Sequence, residues 1–204
     1  MGNGSSGPRM ALSAMADMLK ITQPQFKDLR NASLRLAKPS RDKINSGPVI
    51  TRRSFHKAMK EVNLDEETVD VFDHLYTMWD TRGEGKLNLL LFLASISPLA
   101  STMDIEGKLK FALEIYDVHQ TGRLNGDNAM AILGGINATA SYFGDSVITP
   151  QAIEIVIGDV FEGQNEIYYQ DRISHLANHP AVIQFSIAAG TMRFGGSKIE
   201  SRPK

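Results

Sequence analysis

Two stretches of this chain repeat one arrangement of a carboxylate, a glycine and an apolar residue. In the first, Asp80 follows Trp79, Gly85 lies five places after the Asp, and Leu87 two places after that glycine. In the second, Asp117 follows Tyr116, and Gly122 and Leu124 stand at the same offsets. An acid that opens a polar turn, with glycine at the sixth position for a sharp bend, is a way to hold a hard divalent cation among oxygen ligands. The same carboxylate can instead cap its own turn by accepting backbone N–H groups. Glu84 adds a second acid to the first stretch.

The elements around these turns are helical by periodicity. Val69, Phe72, Leu75, Tyr76 and Trp79 recur at helical spacing, as do Leu109, Ala112, Leu113 and Tyr116, and Ile153, Val156, Ile157 and Val160. Helix, polar turn, helix is therefore the local unit, and two weaker copies align with it. One runs from Lys43 through Ile50 to Phe55, the other from Phe161 through Ile167 to Asp171. Ile50, Leu87, Leu124 and Ile167 then fall at intervals of 37, 37 and 43 residues. Four copies at near-regular spacing are a far more specific signal than one loop.

With these residues, the chain resembles the EF-hand superfamily, and within it the group of calcineurin B, the plant calcineurin-B-like sensors and the neuronal calcium sensors. The resemblance spans roughly residues 20–190. It rests also on Gly107 to Asp117, on Phe92 to Pro98 and on Asn178-His179-Pro180 with the residues that follow. It implies an all-α fold of four EF-hand-like helix–loop–helix units in two pairs. Tiny strands would join Ile50 to Leu87 and Leu124 to Ile167. The divisions expected are a flexible segment over 1–20, a first pair over 21–97, a second over 98–190 and a tail over 191–204. Pro98 disfavours a continuous helix across residues 98–103. The Gly134–Asp145 stretch, with Gly134, Gly135 and Gly144, is expected to be too glycine-rich for helix throughout and to loop between units three and four.

The family implies a calcium sensor, but the loop residues argue against it. A loop of this kind usually takes two of its six to eight oxygens from a Glu at position 12. Here that position is Ser54, Leu91, Asn128 or Asp171. The first loop opens with Lys43. The second keeps Asp80 and Glu84 but places Arg82 at position 3. The third keeps Asp117 but has His119 and Thr121 at positions 3 and 5. The fourth is about two residues short, with Glu162 and Asp171 as its obvious acids. No metal is expected at these vestigial positions, and no cofactor, unless the loops retain weak calcium affinity.

Other chemistry is thinly represented. The chain has no cysteine, which removes thiolate nucleophiles, disulfides and thiolate zinc sites. Gly2 to Gly7 satisfies G-x-G-x-x-G, but no strand precedes it, so it is not a dinucleotide fingerprint. His175 and His179 stand four apart with no third ligand in view, and surface or capping roles suit them better than a metal. No nucleophile–base pair, phosphate loop or paired-carboxylate site is evident, and the chain is read as a non-enzyme.

Charge is unevenly placed. Residues 1–60 hold 12 Lys and Arg against three acids, which is +9; the remainder holds 10 against 20, which is −10. This is either a solvated surface or a basic docking face carrying Arg41, Lys43, Arg52 and Arg53. Such a face would meet an anionic membrane or an acidic protein such as tubulin. Nucleic acid fits poorly, since Phe26 and Phe55 are the only aromatics in that third. Met1-Gly2-Asn3-Gly4-Ser5-Ser6 fits the N-myristoylation pattern at Gly2, or is a plain flexible start. No apolar run is long enough to span a bilayer and no secretory leader is apparent. These features suggest a cytoplasmic protein, either membrane-associated or cytoskeletal. Nine Met residues, including Met59, Met78, Met103 and Met130, suit either an adaptable groove for an amphipathic partner helix or ordinary core filling. Two functions follow as expectations: a sensor-like adaptor gripping a partner helix, or a structural protein of an assembly such as the ciliary axoneme.

Overall fold

The computed structural model describes residues 11–40, 47–100 and 103–188. Ten α-helices and five short strands lie among them, so the fold is dominated by helix. In chain order they are α1 (Leu12–Leu19), α2 (Gln23–Leu36), β1 (Lys38–Pro39), β2 (Pro48–Thr51), α3 (Arg52–Glu61), α4 (Glu66–Trp79), β3 (Lys86–Asn88) and α5 (Leu89–Ile96). A 3-10 turn over Ser97–Leu99 leads on to α6 (Ile105–Tyr116), β4 (Arg123–Asn125), α7 (Gly126–Tyr142), α8 (Pro150–Phe161), β5 (Glu166–Tyr168), α9 (Tyr169–Ala177) and α10 (Pro180–Ala188).

The helix starts follow from side chains that accept orphan backbone N–H groups. Thr22 and Gln25 form a reciprocal capping box at α2, with Pro24 in the first turn. Asp65, Asp104, Thr149, Thr51, Asn88 and Asn125 each accept from the N–H three residues on, opening α4, α6, α8, α3, α5 and α7. Pro98 sits inside the 3-10 turn, and α5 stops before it at Ile96, because proline neither donates to a helix nor fits its interior.

The strands pair in the antiparallel register that the resemblance implies. Ile50 faces Leu87 and Leu124 faces Ile167. All four are buried, so each tiny ladder also plugs the core beneath it. A third strand, β1, adds Lys38 opposite Val49 at the outer edge of the first ladder, which the periodicity did not anticipate.

One contiguous apolar core runs from Leu12 to Val182. Phe26 stands edge-on to Phe72 and to Phe111, with ring centroids 6.1 Å and 5.8 Å apart, and so links α2 to both α4 and α6. Phe55, Tyr76 and Phe92 form a second aromatic knot, with Phe55 stacked on Tyr76 and both edge-on to Phe92, and such pairs add to what their buried area contributes. Every residue of α5 except Leu91 is buried, so the domain boundary expected at residue 97 falls within shared core.

Two expectations are corrected. Residues 1–20 are not flexible throughout: Leu12–Leu19 is helical and buries Leu12, Ala16 and Leu19, since an apolar i, i+4, i+7 stripe repays ordering only when it is covered. The Gly134–Asp145 stretch is not a loop until Phe143, because α7 continues to Tyr142. Gly135 is there for close approach: a Cβ on it would stand 1.9 Å from the Ser95 Oγ and 2.8 Å from the Trp79 ring. The glycine marks helix-to-helix contact, not a break.

Candidate functional site in the four loops

Asp80 ends α4. Its Oδ1 accepts from the Glu84 N–H at 2.9 Å and its Oδ2 from the Gly85 N–H at 2.7 Å. Asp117 ends α6 in the same way, accepting from Thr121 N–H at 3.0 Å and Gly122 N–H at 2.8 Å, with the Thr121 hydroxyl donating to Oδ1 at 3.1 Å. Gly85 and Gly122 both have positive φ, +65° and +69°, which is why glycine recurs at the sixth position. Each carboxylate therefore folds its own turn, holding the backbone groups of the fifth and sixth loop residues.

The remaining acids are also engaged or isolated. Glu84 lies 3.8 Å from Arg82, both well exposed. Glu162 takes a left-handed backbone at the end of α8, and its two oxygens accept from the Arg172 guanidinium at 3.0 Å and 2.9 Å. That hydrogen-bonded pairing holds the Glu162 carboxyl below its ordinary range. Asp171 is exposed in the first turn of α9. Across the second ladder Arg123 pairs with Glu166 at 2.6 Å and lies over the Tyr168 ring, 5.0 Å from its centroid.

A calcium ion needs six to eight convergent oxygens, and the residues present do not fit one. Among the described residues no three His, Asp or Glu side chains converge as metal ligands. Ser54, at position 12 of the first loop, accepts from the Thr51 hydroxyl at 3.0 Å within the α3 cap, while Asn128 only donates its backbone N–H to Asn125. In the fourth loop the cation present is Arg172. Sequence reasoning missed Arg172 and Arg123; an arginine ten residues after a loop acid, in the first turn of the exiting helix, was the available signal.

Two tyrosines brace the loops from beneath. The Tyr76 hydroxyl donates to the Ile50 carbonyl at 2.8 Å and lies 3.2 Å from that of Gly85. It joins the ladder's two loops at their centre. Burial, with the Asp80 charge beside it, pushes the Tyr76 hydroxyl up to about 12. Tyr169 plays a looser counterpart, its hydroxyl 3.5 Å from Asp117 Oδ2, and burial raises it too.

Four cations of the basic third are tied down inside the fold. Arg52 is bound to Asp73 of α4, Arg35 to Glu61 of α3, and Lys27 to Glu114 of α6 at 3.2 Å, while Arg30 donates to the Glu114 carbonyl at 3.0 Å. Arg53 is exposed. Gly2, Arg41 and Lys43 lie outside the described residues. Of the methionines singled out, Met59 is fully buried, Met78 and Met103 pack against the core, and Met130 is exposed. His179 caps α10: its Nδ1 accepts from the Ala181 N–H at 3.3 Å and its Nε2 lies 3.1 Å from Asp159. His175 is exposed on α9.

A cleft of about 530 Å³ opens beside the first ladder, lined by Lys38, Ser40, Thr51, Glu84, Lys86 and neighbours. No helix among the described residues is long and apolar enough to cross a membrane. No protein-family model matches the chain, and no curated protein matches it.

Proposed function

We propose that this chain is a non-enzymatic adaptor of the EF-hand calcium-sensor type, with four helix–loop–helix units in two pairs whose shape is fixed instead of calcium-switched. One observation carries the reading: Asp80 and Asp117 spend both carboxylate oxygens on the backbone of their own loops, and Glu162 is spent on Arg172. A sensor loop changes shape when the ion arrives; loops closed by their own side chains keep one shape. The adaptor holds an amphipathic helix of a partner protein, and a lipid on Gly2 would bring it to a membrane. A single myristoyl chain anchors only marginally, so a second contact is required.

Calorimetric titration of calcium into metal-free protein tests this. No site tighter than roughly 10⁻⁴ M is expected, the weak end of the range for such loops. A micromolar site with a calcium-dependent change in Trp79 fluorescence would sink the reading.

A second reading is a structural protein of a cytoskeletal assembly such as the axoneme. It is favoured by the near-complete burial of α5, whose apolar side chains already face α7 and the core. With those faces covered, contacts would fall to the charged exterior. Co-sedimentation separates the two: vesicle binding lost in Gly2→Ala supports the lipidated adaptor, and microtubule binding indifferent to Gly2 supports the structural protein.

A further inference from the structure

Helix α3 carries its charges in an order that works against its own stability. Arg52 and Arg53 are its first two residues, its first turn holds no acid, and its one acid, Glu61, is its last residue. Partial positive charge gathers at a helix N-terminus and negative charge at its C-terminus, so Arg52, Arg53 and Glu61 stand in the reverse of the stabilising order, while Lys60 in the last turn suits it. The fold corrects part of it. Asp73 of α4 takes Arg52, and Arg35 of α2 takes Glu61. His56 faces Asp73 as well, and that aspartate, hydrogen-bonded to Arg52, is held below its ordinary range.

Of these charges only Arg53 is left uncorrected. Arg53, Lys57 and Lys60 are exposed and make no ion pair among the described residues. Spaced i, i+4 and i+7, they fall within about 60° of one another around the helix and rise about 10 Å along it. The side of α3 opposite them is the buried one, made by Phe55, Ala58 and Met59. Like charges at that spacing repel. Local choices that cost stability with no compensation inside the fold mark surfaces kept for another purpose.

We propose that this outer stripe of α3 is a docking site for a carboxylate-rich segment of a partner protein. Acids at i, i+4 and i+7 of a helix, or on alternate residues of an extended strand, match its length. A lipid surface is the poorer fit. Segments that read anionic lipid gather about four to eight basic residues, and here three are unpaired because Arg52 is held by Asp73. An interfacial helix also needs an apolar face to insert, and that of α3 is buried. Among the described residues, the large apolar ones that are exposed, namely Met130, Tyr142, Val147, Ile155 and Tyr168, all belong to α7, α8 and the elements around them. The stripe does not depend on how the loops treat calcium, so it stands or falls apart from the reading above.

Full-length protein is titrated into a labelled polyglutamate peptide, with anisotropy read at low and at physiological salt. Reversing Arg53, Lys57 and Lys60 together to Glu should weaken binding by about tenfold or more, and a neutral Gln set should weaken it less. A control that reverses Arg82, Lys86 and Lys110 makes the same change in net charge elsewhere and should stay within about twofold of wild type. Circular dichroism verifies that each variant is folded; if the Glu set unfolds, the Gln set against its own Gln control decides. Equal weakening in stripe and control sets overturns the proposal, since net charge alone would then explain binding. So does the absence of peptide binding at low salt. Stripe-dependent binding to phosphatidylserine-containing vesicles without peptide binding overturns it in favour of a membrane.

Discussion

Gly135 of α7 lies so close to Ser95 of α5 that a Cβ on it would stand 1.9 Å from the serine hydroxyl oxygen. Ser95 is fully buried and donates that hydroxyl to the Leu91 carbonyl at 2.7 Å, so it has little room to give. Gly134, one residue earlier, faces open space with nothing within 4 Å of an added Cβ. The two glycines therefore separate packing from propensity. Gly135→Ala should destabilise the protein by about 2–3 kcal/mol through overpacking. Gly134→Ala should stabilise it by about 0.5–1 kcal/mol, because glycine costs that much in a helix interior. Urea unfolding curves of both variants check this. Equal effects of one sign would mean that α5 and α7 are not in close contact.

Tyr76 offers a test in alkali. Its hydroxyl is held up to about 12, against an ordinary value of 10.0. A group raised in the folded state contributes stability that is complete below its unfolded value and lost as pH rises through its folded value. The wild type should thus lose stability between pH 10 and 12 faster than Tyr76→Phe, which has no proton to lose. At neutral pH the variant should be about 1–2 kcal/mol less stable, because the buried Ile50 carbonyl loses its donor. Thermal melts across that pH range give both quantities, and parallel curves would show that Tyr76 does not join the loops.

How much of this was legible in the residues depends on how local the cause is. The ladder partners Ile50 with Leu87 and Leu124 with Ile167 could be read because one apolar residue at a fixed loop position has a single use, to fill the gap between paired loops. The capping roles of Asp80 and Asp117 could be read because the accepting and donating groups lie within five residues. Gly135 could not, because glycine as breaker and glycine as contact look alike until the opposing Ser95 is known. α1 was missed for a related reason: Ala11 is no cap, and the group that does the capping lies 133 residues away. The division of charge was visible, but its partial cancellation across α2, α3, α4 and α6 required the fold.

Loop acids that fold their own turns should matter without calcium. Asp117→Ala removes the acceptor for four donors, the long contact from Tyr169 included, and Asp80→Ala for two. Each should cost about 1 kcal/mol, as for a lost helix cap, with the same loss whether calcium or chelator is added. Differential scanning calorimetry of both variants under the two conditions measures it. A loss that appears only when calcium is present would show the carboxylates to be ligands after all.

Helix α1 is held by its buried stripe of Leu12, Ala16 and Leu19 and by one long-range cap. Leu12 donates its N–H to Asp145 Oδ2 at 3.0 Å, and Lys108 of α6 is buried where both Asp17 and Asp145 attract it. Burial holds the Asp145 carboxyl above its ordinary range, against the opposing pull of the Leu12 N–H and Lys108. Asp145→Ala should cost about 1 kcal/mol, felt first in α1: amides of residues 15–19 should exchange faster while those of α5 and α7 stay protected. Asp145→Asn keeps an acceptor and should restore most of that protection. Because the folded carboxyl is raised, its contribution is complete below its unfolded value near pH 4 and is lost as pH rises through the folded one. The stability of wild type relative to Asp145→Asn should therefore fall as pH climbs from 3 to 7. A difference that stays flat over that interval, or exchange that quickens equally in α1 and α7, would mean that Asp145 does not hold the helix.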